Sequence, residues 1–161
     1  MREDIYYPDY METHDIDWFC RIGAIPIHCA SNGGVLPKKV NVRSVNRKIQ
    51  EAVAAMPEVL DEHEEVIVNV RYVIERLNNQ FAEGAYAQYI SSFVAMARKG
   101  FWSFDRELNE GYNDVYMWIA KPARDVAVEL NNLPEYDERQ CHAFLFGKEE
   151  LHVNCLDSVI D

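Results

Sequence analysis

The sequence has no run of about 18 consecutive apolar residues, the length a helix needs to cross a bilayer. Its first fifteen residues, MREDIYYPDYMETHD, are acidic and lack the apolar block of a secretory leader, so a soluble cytoplasmic chain without a membrane partner is expected. None of the four cysteines, Cys20, Cys29, Cys141 and Cys155, stands in a CxxC pair, and reduced, buried thiols are expected of them. Both glycine-rich phosphate fingerprints, GxxxxGK[ST] and GxGxxG, are missing, and no repeat of solenoid length recurs. Positive charge is also scarce: 16 Lys and Arg stand against 27 Asp and Glu, a net charge of −11. An acidic balance of this kind argues against a nucleic-acid backbone as partner, because phosphates reward clustered cations.

What is present is ordinary globular material. With 161 residues, 48% hydrophobic and 27% charged, residues 1–161 suit a single domain with a real core, and residues 1–14 are candidates for a loosely ordered arm. The charge is uneven. Between positions 21 and 56, Arg21, Lys38, Lys39, Arg43, Arg47 and Lys48 face Glu51 alone, whereas both ends of the chain are acid-rich.

Residues 16–31, IDWFCRIGAIPIHCAS, predict a β-hairpin turning at Gly23-Ala24, with Ile22 opposite Ile25. That register puts Trp18, Cys20, Ile22, Ile25, Ile27 and Cys29 on one face, and Asp17, Phe19, Arg21, Pro26, His28 and Ala30 on the other. Pro26 points to an edge or a non-bonded position, since it cannot donate to a ladder. A helix is expected from an Asn41 cap to about Met56, ended by Pro57. Residues 65–73 predict a strand on their β-branched density, with a helix over 58–78 as the rival.

The clearest helix spans 83–100, where Tyr86, Tyr89, Ile90, Phe93, Val94 and Ala97 form one stripe and Gly100 supplies the C-cap. A hairpin of 101–107 with 114–122 should follow, with Ser103 and Asp105 on the side of Phe101. A short helix over 123–131 is expected after Pro122, then an acidic connector over 132–140. A last hairpin should pair 141–146 with 151–155. The expected class is α+β, a mainly antiparallel sheet built from hairpins with two or three helices packed on one face.

Three constellations could carry chemistry. Ser31-Asn32-Gly33-Gly34 lies between a strand and a helix start, where backbone N–H groups can converge on an anion or phosphate; Arg21, His28, Lys38 and Lys39 would rim such a pocket. Asn-Gly-Gly is equally the sequence of an ordinary turn. Cys141, His142, His152 and Cys155 are of types that suit zinc, but the expected register points only His142 and Cys155 to one side, too few for a tetrahedral site. Asp15, Asp17, Asp105 and His28 could do general acid–base work if the fold gathered them in one cleft. Cys29 cannot be activated by His28, because neighbours in a strand face opposite ways.

No catalytic motif, cofactor or metal follows from these residues. Three Trp, nine Tyr and seven Phe exceed what one core of this size needs, and exposed aromatics favour interfaces. The leading expectation is a non-catalytic domain that binds another protein or itself. The alternative is an enzyme or small-ligand domain with an anion pocket beside the Ser31–Gly34 loop.

Overall fold

The computed structural model describes residues 3–78, 84–107, 115–137 and 150–152. Their elements are α1 (Pro8–Thr13), β1 (Asp17–Ile22), β2 (Ile25–Ala30), α2 (Arg43–Ala55), β3 (Val66–Val68), α3 (Val70–Arg76), α4 (Ala85–Arg98), β4 (Trp102–Arg106), β5 (Val115–Pro122), β6 (Glu135–Tyr136) and β7 (Glu150–His152).

The hairpin of β1 and β2 has the expected register, Ile22 opposite Ile25 and Phe19 opposite His28. Gly23 turns it at φ 58°, a left-handed value that glycine adopts without the steric cost of a Cβ. Both faces of this hairpin are covered. Trp18, Cys20, Ile22, Ile27 and Cys29 enter one core with Phe104 and Tyr116; Phe19 and Ala30 enter the cores beneath the helices. Cys20 and Cys29 are buried, as expected, and neither forms a disulfide among the described residues.

The α+β class holds, and four of the six described strand pairings are antiparallel, but two are parallel, so the sheet is mixed. Its order is β3-β5-β4-β2-β1-β6, with β7 also pairing β5. β4 and β5 form the expected antiparallel hairpin, whereas β2 lies parallel to β4, and β1 parallel to β6. The chain between β2 and β4 holds α2, β3, α3 and α4 and is long enough for the crossover that a parallel pair requires. Pro26 therefore sits in an interior strand and not at an edge. It is accommodated because the pairing with β4 begins one residue later, at Ile27 with Trp102.

Helix starts are set by neighbours distant in sequence. Asn41 does not cap α2; its side chain accepts from the Tyr6 N–H at 2.8 Å and donates to the Tyr6 carbonyl at 3.0 Å. Asp4 serves α2 instead, accepting from the Ser44 N–H at 3.0 Å and from the Ser44 hydroxyl, while its carbonyl accepts from the Arg43 N–H. The expected strand over 65–73 stops at Val68. There Asn69 accepts from the Tyr72 N–H and opens α3, so the two rival readings of that stretch each describe half of it.

The helix expected over 123–131 does not form. Val126, Val128 and Leu130 alternate with the exposed Ala127 and Glu129 and cover Phe101 as an extended segment. Arg21 fastens it by donating to the carbonyls of Val128 and Leu130. Gly100, at φ 109°, lies under this segment; a Cβ there would stand 2.7 Å from Val126 Cγ1.

Candidate functional site

The interior parallel pair β2 and β4 ends at Ala30 beside Asp105, and β1, antiparallel to β2, begins at the same end with Asp17 opposite Ala30. Space outside the carboxyl ends of parallel strands is a common place for a ligand. Here α3 and α4 rise over that end and leave a cleft of 350 Å³ lined by Asp15, Asp17, His28, Asn32, Arg76, Tyr89 and Asp105, with Phe93 and Met96 as apolar wall. The four acid–base candidates Asp15, Asp17, Asp105 and His28 thus share one cavity.

At its centre is a chain of hydrogen bonds. His28 Nε2 lies 2.8 Å from Asp17 Oδ1 and His28 Nδ1 lies 2.6 Å from Ser103 Oγ. A carboxylate offers only lone pairs, so Nε2 carries the proton that faces Asp17, and in the neutral ring Nδ1 accepts from the Ser103 hydroxyl. The residue types match a serine hydrolase triad, but their access is reversed. Ser103 is 0% exposed and His28 2%, whereas the Asp17 side chain is 51% exposed. A nucleophile sealed in the core cannot meet a substrate. Asp17 is the member that can, with Oδ1 held by the imidazole and Oδ2 making no hydrogen bond among the described residues.

A second network forms the opposite wall. Arg76 on α3 pairs with Asp105 on β4 at 3.0 Å and donates to the Tyr72 hydroxyl at 3.1 Å and the Arg106 carbonyl at 3.0 Å. Tyr89 on α4 donates to Asp105 Oδ2 at 2.5 Å. Burial pushes the Asp105 carboxyl above its usual range, opposed by Arg76 and by the Tyr89 hydrogen bond. Burial also raises the Tyr89 phenol, reinforced by the Asp105 charge, so it stays a donor. On Arg76 burial works against the charge, but Asp105, Tyr89 and Tyr72 together outweigh it and keep the guanidinium charged.

A second recess of 350 Å³ adjoins the cleft and shares Asp15, Asp17 and Met96 with it. Its remaining lining comes from α1, the start of β1 and α2: Tyr6, Tyr10, His14, Ile16, Phe19, Arg47, Gln50 and Ala54. Tyr6, Tyr10 and His14 stack along α1, with Tyr10 and His14 centroids 3.7 Å apart.

Of the residues expected around the Ser31–Gly34 loop, His28 and Asn32 line the cleft, and Ser31 lies directly behind it, fully buried, accepting from the Ile16 N–H at 2.7 Å. The loop turns two of its carbonyls to a guanidinium, and its amides are taken up by groups of the protein itself. Arg106 donates to the carbonyls of Ser31 at 2.9 Å and Asn32 at 2.7 Å. The N–H groups of Asn32, Gly33 and Gly34 bond to Asp15 Oδ1, the His14 carbonyl and the Ser31 carbonyl. Gly34 is required where the loop closes on Arg106, since a Cβ would fall 2.3 Å from Arg106 Cδ. Arg21 holds the segment around Val128 instead, and Lys39 reaches the Glu135 carbonyl at 2.8 Å and the Tyr136 ring; neither lines the cleft, nor does Lys38.

Of the four zinc candidates, Cys141, His142 and Cys155 lie outside the described residues, as does the first strand of the expected last hairpin, and His152 ends β7. Among the described residues no group of three or more His, Cys, Asp or Glu side chains suits a metal ion, and no helix is long and apolar enough to cross a membrane. Sequence reasoning passed over Ser103, Arg76 and Tyr89 as site residues. The sequence puts Ser103 on the correct side of its strand but makes Tyr89 part of a core stripe, and it offers no reading of Arg76 as a site residue. Comparison with family models, curated proteins and solved structures finds no match to the chain.

Proposed function

We propose that this chain is a small-ligand-binding domain whose ligand occupies the cleft at the carboxyl ends of β2 and β4. The observation that carries this reading is convergence: β1, β2, β4, α3 and α4 each direct a polar side chain, Asp17, His28, Asp105, Arg76 and Tyr89, into one cavity. A structural network would bury such groups completely. Asp17 instead keeps an open oxygen beside apolar Phe93 and Met96, the combination of a few fixed polar groups and apolar wall that ligand cavities share. Hydrogen-bond acceptance by carboxylates dominates the open chemistry, so the ligand presents N–H or O–H donors, and Asp17 can accept a proton from one of them. A fragment screen read by amide NMR tests this: compounds should displace the resonances of Asp17, Asn32 and Tyr89 together, and Asp17→Asn should weaken them. Binders that cluster elsewhere on the surface would overturn it.

Protein docking, the leading expectation from composition, is supported by a different region. β3 lines the edge of the sheet with the exposed Ile67, and Val70 follows at the start of α3, 48% exposed. Ile67→Lys should then abolish any self-association seen by sedimentation while leaving cleft binding intact.

A further inference from the structure

We propose that the recess beside α1 and the cleft it adjoins together hold an α-amino acid with an apolar or aromatic side chain, recognised as a zwitterion; this rests on the ligand-binding reading above. The recess is lined by side chains of both charge signs. Asp15 and Asp17 lie at its junction with the cleft, and Arg47 lines it from α2, exposed and in no salt bridge among the described residues, although its charge reaches Asp4. The same lining includes Ile16, Phe19, Ala54 and Met96, which offer nothing to a charge and a good surface to a hydrocarbon or ring.

Each part of an amino acid has a counterpart here. The ammonium, with three donors and no acceptor, meets the open Oδ2 of Asp17; His28 already fixes Oδ1, so little side-chain freedom is lost on binding. Asp15 is held in the same way, through Oδ1 and the Asn32 N–H at 2.8 Å, two residues away on the same extended segment. The carboxylate faces the planar fork of Arg47, which can grip it through two parallel N–H groups. The side chain lies on Phe19 and Met96. A volume of 350 Å³ is at the lower end of what small-molecule sites offer, which suits a ligand of this size. A simple anion would be repelled by Asp15 and Asp17, and a simple cation would leave Arg47 unused, so the pairing of charges selects a molecule that bears both.

Calorimetric titration of the full chain with L-phenylalanine, phenylalaninamide and 3-phenylpropionate separates the possibilities. The amide lacks the carboxylate and phenylpropionate lacks the ammonium. We expect L-phenylalanine to bind and each truncated analogue to bind about tenfold or more weakly, the equivalent of one lost charge-assisted hydrogen bond. The variants should match the analogues: Arg47→Met should remove the advantage of L-phenylalanine over the amide, and Asp17→Asn its advantage over phenylpropionate. Arg47 is exposed, and asparagine can still accept from His28, so both variants retain the fold. Equal binding of the amide and the amino acid would overturn the role of Arg47 and the proposal with it. If L-phenylalanine and L-leucine fail to bind while other compounds displace the amides of Asp17 and Tyr89, this inference falls and the cleft reading stands; if no small molecule disturbs those amides, both fall.

Discussion

Ser103 and His28 form a buried polar couple whose energetics can be worked out from the structure. Ser103→Ala removes a fully buried hydroxyl and leaves His28 Nδ1, 2% exposed, with no donor 2.6 Å away. An orphaned buried acceptor costs about 1–3 kcal/mol. His28→Leu inverts the fault: the Ser103 hydroxyl loses its acceptor, while Asp17, at 51% exposure, turns to water at little cost. The double variant orphans neither group and leaves an apolar contact between β2 and β4. Its destabilisation should therefore fall below the sum of the two single variants by about 1–2 kcal/mol. Urea unfolding of the four proteins measures this, provided the slopes agree so that midpoints report stability alone. Effects that add to within about 0.5 kcal/mol would show that the two side chains are energetically independent, and would refute the account of how Asp17 is held.

Four further outcomes follow from the same geometry. Gly34→Ala should lower stability by about 1–3 kcal/mol, because its Cβ would overlap the Arg106 stem at 2.3 Å; thermal unfolding reads the loss, and Arg106→Ala should restore part of it in the double variant. Asp105→Asn should cost about 3–5 kcal/mol in chemical denaturation, since it strips the buried Arg76 of its carboxylate. Gly100→Ala should destabilise through both its left-handed φ of 109° and contact with Val126 and Val128, seen as a lowered melting temperature. Asp4→Asn addresses pH. The Ser44 hydrogen bonds hold the Asp4 carboxyl below its ordinary value of 3.8, so this contact adds stability above that value and loses it as pH falls through the lowered folded one. The variant should accordingly show a flatter acid limb in a stability–pH profile, and an unchanged limb would refute the cap.

The sequence by itself determined the features set by neighbours a few residues apart. Gly23 dictates the turn, the turn dictates that Ile22 meets Ile25, and strand alternation then places Asp17, Phe19 and His28 on one face. The α4 stripe and its Gly100 stop are local in the same sense. Which strand lies beside β2 was decided only by the tertiary structure. Ser103 stands 75 residues from His28, and no local pattern distinguishes a parallel neighbour brought in by a long crossover from an antiparallel one in a hairpin. The same limit explains Val126 to Leu130, where helix propensity yielded to the surface of Phe101, and Asn41, whose capping role passed to Asp4 from forty residues away. Composition also suggested an anion beside Gly33 and Gly34. The fold turned that loop round Arg106, because a buried guanidinium needs acceptors and finds them here in the carbonyls of Ser31 and Asn32, while Asp17 in the neighbouring cleft keeps an exposed carboxylate.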